Sequence, residues 1–231
     1  TVTAGLGAAL AARGRRVLLI DCDAGLGSLD HMLGISGKKV FDIADVVSGT
    51  ADPDKAVYVS AFLPNLFLLP APGTEEDVVS PDVMIELVRV FSRYYDHVLI
   101  DSPAGIGQGF LSAAAAAGRA ILVATADPVC LRDTAQTRLR LREAGVTRQR
   151  LVVNRFSCSR FRREGYFKDL DAVIDAAGVR LIAVIPDDPQ LAAAGANGRP
   201  APEKSPGGRA MARLAARMEG EHVPLPPLQK F

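Results

Sequence analysis

Six short aliphatic runs alternate with longer stretches rich in Ala, Leu and Arg, and this alternation constrains the fold more than any other feature. The runs lack the polar alternation of half-exposed strands, which is typical of strands covered on both faces. Strands that alternate with helices predict an α/β fold, a mostly parallel sheet with helices on both faces and right-handed crossovers. The predicted strands are residues 17–20, 66–69, 98–100, 120–124, 151–153 and 181–185.

Five stretches between these runs have the composition of helices, and glycines follow several of them. Gly14, Gly118, Gly145 and Gly178 are expected to end helices, because glycine tolerates the left-handed backbone of a helix C-terminus. A shorter helix is expected around residues 209–218, in a tail that is rich in Pro and Gly and ends in "PLPPLQKF". The five longer predicted helices are residues 4–13, 83–95, 109–117, 131–143 and 169–177.

A chain of 231 residues that is 48% hydrophobic suits one compact domain. We expect an α/β domain over residues 1–200, with residues 201–231 forming a C-terminal helix and Pro-rich tail of the same domain. A predicted helix begins almost directly at Thr1. We therefore expect further residues upstream, including the strand that would precede this helix.

Charge, cysteine and hydropathy patterns narrow the class of protein. Lys and Arg number 27 against 26 Asp and Glu, so no overall field would attract nucleic acid. Cys22, Cys130 and Cys158 have no CxxC spacing, which argues against a disulfide framework and a zinc site. No run reaches the roughly 18 apolar residues of a membrane span. A reducing cytoplasm fits this composition best.

Polar and charged residues follow four of the predicted strands. Ligands of parallel α/β sheets bind beyond the carboxyl ends of the strands, so these residues are the first candidates for a site. The segments are Asp21-Cys22-Asp23, Asp101-Ser102-Pro103-Ala104-Gly105, Asn154-Arg155 and Pro186-Asp187-Asp188.

The segment "HVLID", which ends at Asp101, has the form of a Walker B strand, whose terminal carboxylate faces a magnesium ion. Asp21 and Asp23 end another aliphatic run and allow the same interpretation. The alternative is that each aspartate only accepts hydrogen bonds in the turn after its strand. Three such carboxylates at one sheet edge favour the metal or phosphate site over that alternative.

A phosphate site also needs a cradle of backbone N–H groups and a lysine, in the form G-x-x-x-x-G-K-[ST] at the start of a helix. The sequence of 231 residues contains no such motif. The helix predicted at residues 4–13 lies where this loop would lead. Two explanations remain open: the loop lies upstream of Thr1, or the protein has none.

Six segments in order resemble the MinD branch of the MinD/ParA family of deviant Walker A ATPases, over roughly residues 1–200. The resemblance implies a P-loop NTPase-like fold whose N-terminal strand and phosphate loop, of the form KGGVGKTT, lie before this sequence. Thr1 matches the last threonine of that loop or lies just after it. The segments are "GRRVLLIDCDAGLGSLDHMLGI", "VFDIADVVSGTADPDKAV", "NLFLLPAP", "YYDHVLIDSPAGIG", "LVVNRFS" and "LIAVIPDD".

The resemblance also implies a role for each strand-end residue. Asp21 and Asp101 would hold magnesium through its waters, and Asp23 would position the attacking water. Ala104 and Gly105 would belong to the switch that senses the γ-phosphate.

The adenine would be bordered by residues that follow two later strands. Asn154 and Arg155 are implied there, together with the backbone turn formed by Pro186, Asp187 and Asp188. An amide can read an adenine edge, and an arginine can stack on a base plane. From the residues alone, the preferred interpretation of Asn154 is a turn residue at a strand end.

The family implies an ATP- and Mg²⁺-dependent ATPase that alternates between a monomer and an ATP-sandwiched homodimer and helps to place the division septum. Its expected partners are a second copy and protein regulators of the division site, without nucleic acid. A peripheral location on the inner face of the cell membrane stays open. The three prolines of the tail oppose an amphipathic anchor helix there. Three alternatives also remain: a flagellar-number ATPase, a metal-centre maturation ATPase and a loop-less, non-catalytic scaffold.

Overall fold

A computed structural model describes residues 1–24, 27–74 and 79–228 of the chain. The chain divides into two compact units. The first unit comprises Thr1–Ala117 with Ala192–Ala201, and the second comprises Gly118–Leu191 with Pro202–Phe231. The expected division at residue 200 stays a prediction.

The first unit contains a four-stranded sheet in the order β2-β3-β1-β4. The central strand pairs in parallel with a neighbour on each side, and a two-residue strand adds an antiparallel edge. All five residues of the central strand are buried, which explains its unbroken aliphatic composition. The strands are β1 (Val17–Asp21), β2 (Tyr58–Val59), β3 (Leu66–Leu69) and β4 (His97–Asp101).

Helices of the first unit pack their apolar side chains on this sheet. Leu18 and Ile20 of β1 lie in one buried cluster with Ile43 and Met84. One short helix begins at a clear cap, where Asp42 accepts from the N–H of Ala44 and completes a capping box with Asp45. The helices are α1 (Val2–Ala12), α2 (Leu29–Met32), α3 (Ile43–Val47), α4 (Pro53–Ala56), α5 (Pro81–Phe91) and α6 (Gln108–Ala116).

The second unit contains a three-stranded parallel sheet in the order β5-β6-β7. Its longest helix begins at Pro128, where the Asp127 side chain accepts from the N–H of Cys130. The strands are β5 (Ala120–Ala124), β6 (Gln149–Phe156) and β7 (Leu181–Pro186). The helices are α7 (Pro128–Glu143), α8 (Cys158–Glu164), α9 (Leu170–Ala177) and α11 (Pro206–Met218); α10 (Pro189–Ala196) begins in this unit and ends in the first.

The α/β fold and all six predicted strands are confirmed, with longer bounds for β1, β4, β6 and β7. Gly14, Gly145 and Gly178 follow helices with positive φ, as expected. The expectation for Gly118 was wrong, because Ala117 already returns the backbone after α6 to an extended conformation. In the tail, residues 221–227 are in neither helix nor strand, and residues 229–231 lie outside the described residues.

Candidate functional site

The last residues of β1 and β4 are aspartates that stand beside each other. Asp21 and Asp101 are Cα partners in the parallel register of these two strands. The strand ends therefore bring two carboxylates, 80 residues apart in sequence, to the same edge of the sheet. This is the edge at which parallel α/β sheets bind ligands.

The Asp21 carboxylate is buried, with 3% of the residue exposed. Its Oδ1 accepts the N–H of Asp23 at 3.0 Å, and its Oδ2 accepts the N–H of Leu29 at 3.3 Å. Burial raises the pKa of Asp21 to about 6, against these two backbone bonds, and the charges of Asp101 and Asp23 raise it further. A cation beside the carboxylate would offset this cost of burying a negative charge.

Asp101 is tied to the first turn of α1. The Thr3 hydroxyl donates to Oδ1 of Asp101, and the N–H of Cys22 donates to the Asp101 carbonyl oxygen at 2.9 Å. Sequence reasoning missed Thr3, although a hydroxyl two residues after Thr1 in the first turn of a predicted helix was a usable signal. Thr1 itself is exposed at the start of α1, and its carbonyl accepts the N–H of Gly5 at 3.0 Å.

A glycine allows the chain to pass close to Asp21. A Cβ on Gly27 would lie 3.0 Å from Oδ2 of Asp21 and 3.0 Å from the Cβ of Ala71. Any other residue would therefore push against the carboxylate. Gly27 belongs to the segment quoted above from residue 14 to 35, of which Gly25 and Leu26 lie outside the described residues.

The donor set fits a magnesium ion better than an all-protein metal site. Throughout residues 1–24, 27–74 and 79–228, no three His, Cys, Asp or Glu side chains form a group that could hold a metal. Magnesium keeps several waters and is commonly held by one or two carboxylates together with substrate phosphates. Asp21 and Asp101, at neighbouring strand ends, supply such a pair.

Three further predicted residues lie in the turns that follow these strands. Asp23 is half-buried and connects to the site through its N–H, which donates to Asp21. Ala104 and Gly105 are exposed after β4, and Gly105 has a φ of +89° with no atom near the position of a Cβ. This turn is therefore open to a ligand.

In the second unit, the remaining predicted residues gather at the carboxyl ends of the neighbouring strands β6 and β7. Asn154 is half-buried, and Arg155 is exposed. Within the described part of the chain, Arg155 is the one non-glycine residue with a positive φ, +52°, at a register shift between β6 and β7. Its Nε lies 3.6 Å from Oδ1 of Asp187.

Asp187 and Asp188 have different surroundings, although they are consecutive. The Asp187 carboxylate also accepts Nη2 of Arg160 at 2.6 Å, while its N–H donates to the Phe156 carbonyl at 2.9 Å. Arg160 was not among the predicted site residues, and nothing in its spacing indicated this contact.

The Asp188 side chain is buried and binds backbone N–H groups at the starts of two helices. It accepts from Gln190 at 2.9 Å and from Gly207 at 2.8 Å. Burial alone would raise its pKa, but hydrogen bonds from the Gly207 N–H, the Ser205 hydroxyl and the Gln190 N–H lower it below the ordinary value. Within this set of residues, the Asp188 side chain is therefore a structural acceptor, which leaves only its backbone for a ligand.

A mostly parallel α/β fold with a carboxylate pair at its strand ends defines a nucleotide-binding class of protein. The sequence model of the "CobQ/CobB/MinD/ParA nucleotide binding domain" family matches residues 1–201. No described helix is both long and apolar enough to cross a membrane.

The septum site-determining protein MinD of Thermotoga maritima is 35% identical over 230 residues, which cover 97% of this chain and 84% of that protein. Among solved structures, MinD in the MinC:MinD cell division complex of Aquifex aeolicus has a TM-score of 0.89 at 33% identity, covering 98% of this chain and 92% of its own. Septum site-determining MinD of Pyrococcus horikoshii, solved with Mg-ADP, has a TM-score of 0.84 at 31% identity, with 94% and 89% covered. The chain belongs to the MinD branch of the MinD/ParA family.

Proposed function

We propose that the full-length protein is a magnesium-dependent ATPase of the MinD type that takes part in placing the division septum. The observation that carries this proposal is the pairing of Asp21 with Asp101 in register at the ends of β1 and β4. Asp21 is buried there with a raised pKa, which is costly for a carboxylate unless a cation accompanies it. The Mg-ADP of the Pyrococcus horikoshii relative supports the same assignment.

Asp21 and Asp101 would hold Mg²⁺ through its waters, and the ion, when bound, neutralises charge on the phosphate oxygens. Asp23 orients the attacking water: it is half-buried two residues after β1, its N–H donates to Asp21, and its charge acts on the Asp21 carboxyl group. The exposed turn with Ala104 and Gly105 contacts the γ-phosphate and changes conformation when that group leaves. Thr1 adjoins the phosphate loop at the start of α1.

We assign the base to residues at the carboxyl ends of β6 and β7. Asn154 reads the adenine edge, Arg155 presents its guanidinium plane, and the backbone of Pro186, Asp187 and Asp188 borders the ring. The amide has the donor and acceptor needed for an adenine edge, and the positive φ of Arg155 turns that residue out of the strand path.

We propose that the phosphate loop precedes Thr1 and connects an upstream strand to α1. Support comes from β4, which pairs with β1 on one side while no described strand pairs with its other edge. A parallel strand on that edge would reach β1 through α1, the usual strand-helix-strand connection. The open reading frame upstream of Thr1 tests this directly: an initiator Met immediately before Thr1 would contradict the loop and favour a scaffold without ATPase activity.

The cellular role is proposed from the relatives. Those named above are septum site-determining or cell division proteins, and one was solved in a complex with MinC. We assign to this protein an ATP-bound homodimer, a cytoplasmic location and a division-site regulator as partner. Residues 221–227, which are in neither helix nor strand, offer no amphipathic helix for a peripheral membrane contact.

The full-length protein allows a sharp test of the ATPase assignment. Asp23→Ala should keep ATP affinity within about twofold while turnover falls about 100-fold, since orienting the nucleophile matters mainly in the transition state. Asp54→Ala, an exposed aspartate in α4, is the matched control and should change neither quantity. A parent protein that binds no ATP, or an Asp23→Ala variant with parental turnover, would contradict the assignment.

A further inference from the structure

The Asp187 carboxylate at the end of β7 is shared by two arginines. Arg160 of α8 donates through Nη2 to Oδ2 at 2.6 Å, and Nε of Arg155 lies 3.6 Å from Oδ1. One carboxylate thus faces two guanidinium groups. The contact with Arg160 is the shorter of the two, so α8 provides the stronger restraint on the Asp187 carboxylate.

Two local contacts fix the position of Arg160. The Ser157 side chain caps α8 and accepts the N–H of Arg160 at 3.4 Å. The Phe161 ring packs against the buried Phe156 ring at a centroid distance of 5.2 Å. The helix that carries Arg160 is therefore anchored to β6, the strand that carries Arg155.

Arg155 has a backbone conformation that an L-amino acid adopts at a cost. Its φ of +52° lies in the left-handed region, at a point where the β6–β7 register shifts. The contact with Asp187 restrains the arginine side chain that leaves this bend. That side chain is still 68% exposed, so it is accessible to a ligand.

The geometry points to Arg160 as a positioning residue that acts through Asp187 on Arg155, so that the Arg155 guanidinium plane is ready for the nucleotide base. This inference rests on the proposed nucleotide-binding function. Asp187 lies beside Nε of Arg155, and the exposed side chain can still present its guanidinium plane to the base. Arg160 itself does not contact the ligand.

The test compares binding of ATP and of inorganic tripolyphosphate, which lacks a base, to the full-length protein. Arg160→Gln should weaken ATP binding about two- to fivefold, the range of an exposed ion pair, and leave tripolyphosphate binding unchanged. Asp187→Asn should have the same effect. The double variant, Arg160→Gln with Asp187→Asn, should lose no more ATP affinity than either single variant. Arg162→Gln, an exposed arginine of the same helix, is the control and should bind both as the parent does.

The outcomes separate this inference from the function on which it rests. A parent that binds ATP no more tightly than tripolyphosphate would contradict the base site, and the positioning role would fall with it. If the parent prefers ATP and Arg160→Gln keeps that preference, the positioning role alone is wrong. Equal losses for both ligands would also overturn it, because they indicate a general structural effect.

Discussion

The Thr3 hydroxyl donates a hydrogen bond to the carboxylate of Asp101, although the two residues are 98 positions apart in the chain. The bond joins the first turn of α1 to the end of β4. It orients one of the two strand-end carboxylates. It also holds the start of α1, the helix that we propose follows the phosphate loop. Thr3 is therefore a positioning residue of the candidate site.

Replacing Thr3 with Val removes the hydroxyl and keeps the shape of the side chain. We expect Thr3→Val to lower the free energy of unfolding by about 1 to 2 kcal/mol, because a half-buried carboxylate loses a donor. Thr137→Val is the matched control: this threonine is also helical, but its hydroxyl donates to a backbone carbonyl in an exposed setting. Urea unfolding of both variants tests the prediction, and equal losses would contradict it.

Asp21 should titrate well above an ordinary aspartate when no metal is bound. Its pKa is raised to about 6, so the folded state binds a proton that the unfolded state releases near pH 4. The free energy of unfolding of the metal-free protein should therefore fall as the pH rises from about 4 to about 6, through this group. Carboxyl NMR titration measures the pKa directly, and Mg²⁺ with ADP should lower it. A metal-free value near 3.8 would contradict the assigned burial cost.

Asp188 should behave in the opposite way. Its lowered pKa means that its contribution to stability is present above pH 4 and is lost as the pH falls through the folded-state pKa. Asp188→Ala should cost about 2 kcal/mol at pH 7, because two helix starts lose an acceptor. The cost should shrink at pH 3. Asp175→Ala, an exposed aspartate of α9, is the control in the same denaturation series. A cost independent of pH would contradict the ionised role of Asp188.

The core strands and the site edge were predictable from the sequence for physical reasons. Uninterrupted aliphatic runs such as that of β1 are buried on both faces, and parallel strands bring Asp21 and Asp101 to one edge. Short elements were not predictable in this way. The two residues of β2 carry too little pattern, and α3 depends on a capping box between Asp42 and Asp45 that no hydrophobic period reveals.

Contacts between distant side chains were also out of reach. Thr3 with Asp101, and Arg160 with Asp187, depend on how helices pack on strands rather than on local spacing. The two aspartates after β7 look alike in sequence, yet one is buried against two helix starts and the other faces two arginines. Only the tertiary structure distinguishes them.

The chain that ends at Phe231 should not bind anionic vesicles. The apolar residues of α11, including Met211 and Leu214, are buried against the protein, and residues 221–227 form no helix. Leu225 is the one exposed large hydrophobic residue within residues 206–228, which is too little apolar surface for a lipid interface. Cosedimentation with vesicles, with and without ATP, tests the prediction on the chain extended upstream of Thr1. Strong ATP-dependent pelleting would contradict it and direct attention to the arginines of α8.

Calorimetric titration of the full-length protein with ATP, once in the presence of Mg²⁺ and once in EDTA, tests the central claim most directly. We expect Mg²⁺ to tighten ATP binding by about tenfold or more in the parent and by less in Thr3→Val, which keeps the carboxylate but loses the donor that orients it. Asp101→Asn keeps an acceptor for Thr3 but loses the charge, so it should lose most of the Mg²⁺ effect while binding in EDTA stays as in the parent. Asp21→Ala should show a milder loss of the same kind. An Asp101→Asn variant with the full Mg²⁺ effect of the parent would contradict the assignment of Asp21 and Asp101 as the magnesium-holding pair.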